Sequence, residues 1–103
     1  MEAFGITQKD ITVLEEIFRK YSSVKLVHIF GSRAKGNFKP TSDIDLAIMN
    51  KNVSRDTAYQ IKSDFQDSNI PYVIDLVNLE DISNKELIDH IKRVGIPIYS
   101  RKS

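Results

Sequence analysis

The sequence predicts an α/β (α+β) fold, one β-sheet with helices packed on one face. Three observations carry this reading. The runs "VKLVHIF", "DIDLAIM" and "YVIDLVNL" are rich in β-branched and aromatic residues and read as strands. The segments between them repeat apolar residues at helical spacing. An apolar fraction of 41% in 103 residues suits one compact core with little room for a second, so a single domain over residues 1–103 is expected. The pattern by itself leaves the direction of each strand open.

The elements are taken in chain order. Thr7 is placed to cap a helix over residues 8 to 21, with Asp10 near its positive end and Ile11, Leu14, Ile17, Phe18 and Tyr21 on its inner stripe. Residues 24 to 30 form a strand that ends at Gly31. A turn comes next, with a short helical stretch through Arg33, Ala34 and Lys35. Residues 43 to 49 form the second strand, alternating at its start. Ser54 caps a helix running to Ser68, with Ala58, Ile61 and Phe65 facing inward, and Asn69 or Pro71 ends it. The third strand covers residues 72 to 79. Ser83 and Glu86 read as a capping-box pair before Leu87, Ile88, Ile91 and Val94, and Gly95 stops that helix. Residues 96 to 99 add a short edge strand, since Pro97 has no amide to give to a ladder.

Composition excludes several classes of function. Charged residues make up 28% of the chain and nearly cancel to +1, so no long-range field draws it to nucleic acid or an anionic membrane. Direct nucleic-acid binding is not expected. With no cysteine there is no disulfide and no thiolate zinc site, which fits a reducing compartment. The first residues lack a basic segment followed by an apolar run, and no stretch approaches the ~18 apolar residues that span a bilayer. A cytoplasmic protein is expected.

The chemistry begins at "FGSRAKGNFKPTSDIDL", residues 30 to 46. A Walker A loop needs Gly-x4-Gly-Lys-Ser/Thr. Gly31 and Gly36 have that separation, but Asn37 and Phe38 stand where the lysine and hydroxyl belong. A dinucleotide-binding Gly-x-Gly-x-x-Gly is absent as well. What remains is Gly31-Ser32 at the end of a strand. Such turns are commonplace, yet glycine admits a phosphate to the backbone, Ser32 adds a hydroxyl, and Arg33 and Lys35 can add charge.

Asp43 and Asp45 stand one residue apart on a strand, so both project from one face while Ile44, Leu46 and Ile48 fill the other. Side by side they repel, and a divalent cation removes the conflict. Alone they also suit a solvated strand start. Asp75 weighs against that: it sits mid-strand among Val73, Ile74, Leu76 and Val77, where an unpartnered acid is rare. If its strand neighbours the Asp43–Asp45 strand, three carboxylates converge, enough for two metal ions ~3.5–4 Å apart. Asp56, Asp64, Asp67, Asp81 and Asp89 read as solvated, as do Lys9, Arg19, Lys62 and Lys92. His28 and His90 read as structural or surface residues, and Phe38, Tyr59 and Tyr72 as packing rather than adenine-stacking groups.

Gly31-Ser32, ten residues, then Asp43-Ile44-Asp45 resembles the Gly-Ser-x10-Asp-x-Asp motif of the DNA polymerase beta-like nucleotidyltransferase superfamily. "GSRAKGNFKPTSDIDLAI" is most similar to its smallest members, the minimal nucleotidyltransferase (MNT) domain proteins, and "VIDLVNL" supplies the later aspartate. The resemblance implies a mixed sheet and assigns roles by position. Gly31 and Ser32 bind a nucleotide triphosphate, with Ser42 and Arg33 assisting. Asp43 and Asp45 bridge two Mg2+ ions, and Asp75 joins them nearer the attacking hydroxyl and accepts its proton. MNT proteins of this size resemble antitoxins paired with a HEPN-domain ribonuclease toxin, whose tyrosine hydroxyl takes AMP from ATP. A chain this short carries no second domain to hold another acceptor. Two other functions stay open: an antitoxin acting by binding alone, and a transferase for a small acceptor held by a separate subunit.

Overall fold

The computed structural model describes residues 2–101. A two-stranded hairpin, β1 (Glu2–Ala3) and β2 (Ile6–Thr7), opens the chain and has no counterpart in the sequence reading. Strands of two residues show no alternation to detect. Helix α1 (Gln8–Arg19) starts where expected, with the Thr7 hydroxyl accepting from the Asp10 amide at 3.3 Å. Then come β3 (Leu26–Phe30), α2 (Gly31–Lys35), β4 (Ile44–Ile48), α3 (Arg55–Asp67), β5 (Ile74–Asn78), a single 3-10 turn at Leu79–Asp81, α4 (Lys85–Val94) and β6 (Ile96–Ser100).

β3, β4 and β5 are a little shorter than the sequence suggests, and β6 runs one residue further, to Ser100. The amides of Lys25 and Leu26 donate to the Asn50 Oδ1 at 2.9 and 3.1 Å, so a side chain replaces a ladder partner before β3 begins. The last helix is capped one residue later than the capping-box reading has it. Asn84 Oδ1 accepts from the Leu87 amide at 3.1 Å, and Ser83 and Glu86 are left exposed. Asn is as good a cap as Ser and lies at the boundary the helix uses.

The sheet order is β5-β4-β3-β6. β3 runs antiparallel to β4 and β6, while β4 and β5 are parallel, so the sheet is mixed. Register brings the acids into line. Phe30 lies opposite Asp45, and Asp45 lies opposite Asp75.

Alternation then separates two faces. Val27 and Ile29 of β3, Ile44, Leu46 and Ile48 of β4, and Leu76 of β5 join the main core. α1 packs Ile11, Leu14, Ile17 and Phe18 against it, and α3 packs Ile61 and Phe65. Phe18 meets both Phe65 and Tyr99 with ring centroids 5.5 Å apart. The opposite face is not left bare, which corrects the expectation of helices on one face only. Ile91 of α4 packs against Phe30 and Ala47, with Leu87, Val94 and Val77 around them. One helix therefore covers that face over Phe30 and Ala47, reaching to the edge of the carboxylates through His90. Among the described residues no helix is long and apolar enough to cross a membrane.

Candidate functional site

Gly31 begins α2 with φ +71°, a conformation that side chains rarely adopt. Its missing Cβ has a second consequence: a carbon there would run into Asp45 Oδ2. The glycine turn and the acidic strand thus touch, and only glycine permits it. Gly36, at φ +87°, closes α2 in the left-handed region.

The three predicted aspartates do come together. Asp43 immediately precedes β4, Asp45 is its second residue, and Asp75 faces Asp45 across the parallel ladder. Asp43 and Asp75 are exposed and Asp45 is half-buried. Burial raises the Asp45 pKa above the 3.8 of an ordinary aspartate, and the charges of Asp75 and then Asp43 raise it further. Asp75 escapes the cost of an acid inside an apolar strand because its own face of the sheet is open at that end.

Whether this set suits a divalent cation can be judged from its chemistry. Three hard oxygen donors whose charges oppose one another at Asp45 are what a cation would relieve. Among the described residues, however, no group of three His, Cys, Asp or Glu side chains is placed to hold a metal ion. Like charges settle apart, and magnesium at nucleotide sites takes its remaining ligands from water and phosphate. The residues fit as a partial ligand set.

Arg33 does not fill its expected role. It is 1% exposed, and its guanidinium is committed. Nε and Nη2 donate to the Ser42 carbonyl at 3.1 and 2.8 Å, Nη2 to the Pro40 carbonyl at 3.2 Å, and Nη1 to the Phe4 carbonyl at 2.9 Å. The Phe38 and Tyr72 rings lie 5.0 and 4.8 Å from its Cζ. Four of its five N–H groups are taken and the side chain is buried away from the surface, so its place in a nucleotide-binding set is withdrawn. The same geometry explains Phe38 and Tyr72, which pack on a cation. Ser42 accepts the Lys39 amide with its hydroxyl at 2.9 Å, holding the turn that leads into Asp43.

One residue beside the carboxylates escapes the sequence reading. His90 of α4 lies edge-on to Phe30, ring centroids 6.1 Å apart, and acts against the rise in the Asp45 pKa. Nothing near His90 in the sequence signals this, because its place depends on where α4 docks. His28 shares the carboxylate face but is held under α4, close to Gly95, where burial lowers its pKa. Tyr59 is not a packing residue either; it is exposed on α3, beside a groove of about 410 Å³ that also reaches Arg55, Lys62 and Val77. That groove does not include the aspartates.

Known proteins share this fold. The family described as Polymerase beta, Nucleotidyltransferase matches residues 12–103. The chain belongs to that family. Within the polymerase beta nucleotidyltransferases, the probable protein adenylyltransferase MntA of Haemophilus influenzae is 28% identical over 101 residues, covering 94% of this chain and 85% of that protein. A crystal structure of a toxin-antitoxin with AMP-PNP superposes with a TM-score of 0.71 at 18% identity, over 89% of this chain and 74% of that one. A tri-AMPylated Shewanella oneidensis HEPN toxin in complex with MNT antitoxin gives 0.67 at 17% identity, over 91% and 72%. These two structures share the nucleotidyltransferase fold with this chain.

Proposed function

We propose that this chain is a cytoplasmic, single-domain protein adenylyltransferase that moves AMP from ATP onto a tyrosine hydroxyl of a partner HEPN toxin and so acts as its antitoxin. The observation that carries the proposal is Asp45, which abuts the Gly31 turn and lies opposite Asp75 in the parallel ladder. Family membership supplies the reaction class, and the MntA relative and the AMPylated HEPN toxin support the acceptor.

In this reading the Gly31-Ser32 turn receives the triphosphate and Ser42 flanks it. Asp43, Asp45 and Asp75 would hold Mg2+, as a pair of ions. Bound magnesium would neutralise the phosphates and ease ionisation of the attacking hydroxyl. The tyrosine oxygen bonds to the α-phosphorus as the bond to pyrophosphate breaks. Asp75, the more exposed of the facing pair, takes the tyrosine proton on its carboxylate. Asp45 stands between Asp43 and Asp75, and the glycine beside it leaves the backbone of the turn open to the phosphates.

The test is incubation with α-labelled ATP, Mg2+ and the product of the neighbouring gene, which this reading expects to be a HEPN protein. Label should appear on that protein and vanish with Asp43→Ala or Asp45→Ala. Neutralisation that survives these substitutions without label would identify a binding antitoxin. Label on a small molecule instead would identify a transferase whose acceptor is held by a separate subunit.

A further inference from the structure

Arg33 occupies an unusual place for a cation. It is the largest fully buried side chain, and its partners are three carbonyls and two aromatic faces rather than a carboxylate. Burying a guanidinium is expensive unless its donors are satisfied, and here all three nitrogens are used. They join segments that are separate in the chain.

Each partner belongs to a segment that carries or adjoins part of the site. Arg33 itself comes directly after Ser32 in α2. The Ser42 carbonyl directly precedes Asp43, and Pro40 is in the same turn. Tyr72 stands three residues before Asp75 and just ahead of β5. The fourth partner, the Phe4 carbonyl, lies in the opening hairpin, where Phe4 and Gly5 both have positive φ. Tyr72 also donates its hydroxyl to the Gly5 carbonyl at 3.4 Å. A Cβ on Gly5 would press on the Phe38 ring and stand 2.9 Å from Arg33 Nη1, so the hairpin turn closes tightly over the cation.

We infer that Arg33 is a positioning residue: it clamps the phosphate turn, the turn before Asp43 and the lead into β5 onto one another, and so fixes the reacting geometry without touching substrate. This rests on the proposed transfer reaction. A planar fork suits the task, since it reaches three differently placed carbonyls while both faces stack. An ammonium has one nitrogen and no plane, so Lys is not an equivalent. A misplacement of about 1 Å at a reacting centre can cost about 10²-fold in rate.

The test uses the full chain with its HEPN partner, comparing Arg33→Gln, Arg33→Lys and Phe38→Leu with wild type. Steady-state AMP transfer gives kcat and KM for ATP, and hydrogen exchange reads the amides of residues 39 to 45. The expected result for both Arg33 variants is a fall in kcat of about 10²-fold with KM changed less than about threefold, and faster exchange at the hydrogen-bonded amides of residues 42 and 44. Phe38→Leu should show the same pattern at about a tenth of the effect, and it serves if the Arg33 variants do not fold. A rise in KM alone would make Arg33 a phosphate contact and overturn the inference. So would a lowered melting temperature with unchanged kcat, or full rescue by Lys. If wild type transfers no AMP, the function reading fails instead; the clamp is then judged by exchange, and unchanged exchange at residues 39 to 45 overturns it.

Discussion

The two faces of the central sheet differ by one residue in phase and by nearly everything in physical character. On one, Ile44, Leu46 and Ile48 are fully buried beneath α1 and α3. On the other, the same strand presents Asp45 and then Ala47, with Asp43 just before it; α4 covers Ala47 and Phe30, while Asp43 and Asp75 stay exposed. Stability resides in the first face and chemistry in the second. The largest effect should come from breaking the packed face. Phe18→Ala removes the ring that joins Phe65 to Tyr99, leaving a cavity at the centre of the core. A loss of about 3–5 kcal/mol is expected, read by urea unfolding.

The open face should respond with the opposite sign. The fold raises the Asp45 pKa, so it disfavours the ionised carboxylate that prevails near neutrality. Asp45→Asn is therefore expected to raise the melting temperature at pH 7 while lowering AMP transfer by about 10³-fold. A raised folded pKa means that this group's contribution to stability is fully present below the unfolded value of 3.8 and is lost as pH rises through the folded one. Activity runs the other way: it needs the ionised form and falls as pH drops through that raised value. Asp75→Asn removes the neighbouring charge that acts more strongly on Asp45, so any residual activity should have its acid limb at lower pH.

This difference between faces is legible in the sequence, and its limits are instructive. Period-two alternation in "DIDLAI" separates acid from core without tertiary information, and Asp75 in "VIDLV" is anomalous enough to stand out. The spacing from Gly31-Ser32 to Asp43-x-Asp45 joins them. The parallel pairing that sets Asp75 opposite Asp45 is not legible there, since side-chain pattern does not encode strand direction; the family resemblance brings Asp75 to the site without giving the strand order. Arg33 reads as a phosphate ligand because a cation after a glycine turn ordinarily points to solvent. Its burial depends on carbonyls at Phe4, Pro40 and Ser42, which every residue possesses, so sequence carries no mark of them. His90 is hidden for a similar reason, being placed by the docking of α4 through Ile91.

A smaller effect should appear where the faces meet the glycine turn. Gly31→Ala places a side chain at φ +71° and directs it at the Asp45 carboxylate. Left-handed backbone in a non-glycine residue costs about 1–3 kcal/mol. The displaced Asp45 should also lower transfer, whereas Gly36→Ala, also at positive φ but with open space around its Cβ, should cost stability alone. Comparing unfolding free energy and activity for the two separates strain from intrusion into the site.

The smallest effect lies at the rim of the packed face, where Tyr21 donates its hydroxyl to Asp64 and so ties the end of α1 to α3. That hydrogen bond, ahead of burial and the Asp64 charge, pushes the Tyr21 pKa up from 10.0 to about 12. It also holds Asp64 below its usual range, with Lys20 helping at 2.9 Å. The Tyr21 contribution is therefore present below pH 10 and lost as pH rises through about 12, and the Asp64 contribution is present above 3.8 and lost as pH falls through its lowered value. Tyr21→Phe should cost about 1 kcal/mol at pH 7. It should also flatten the fall in stability between pH 10 and 12, tracked by thermal unfolding across that range, and leave AMP transfer unchanged. A change in transfer would mean that the two faces are coupled through α1 and α3, which their separate packing argues against.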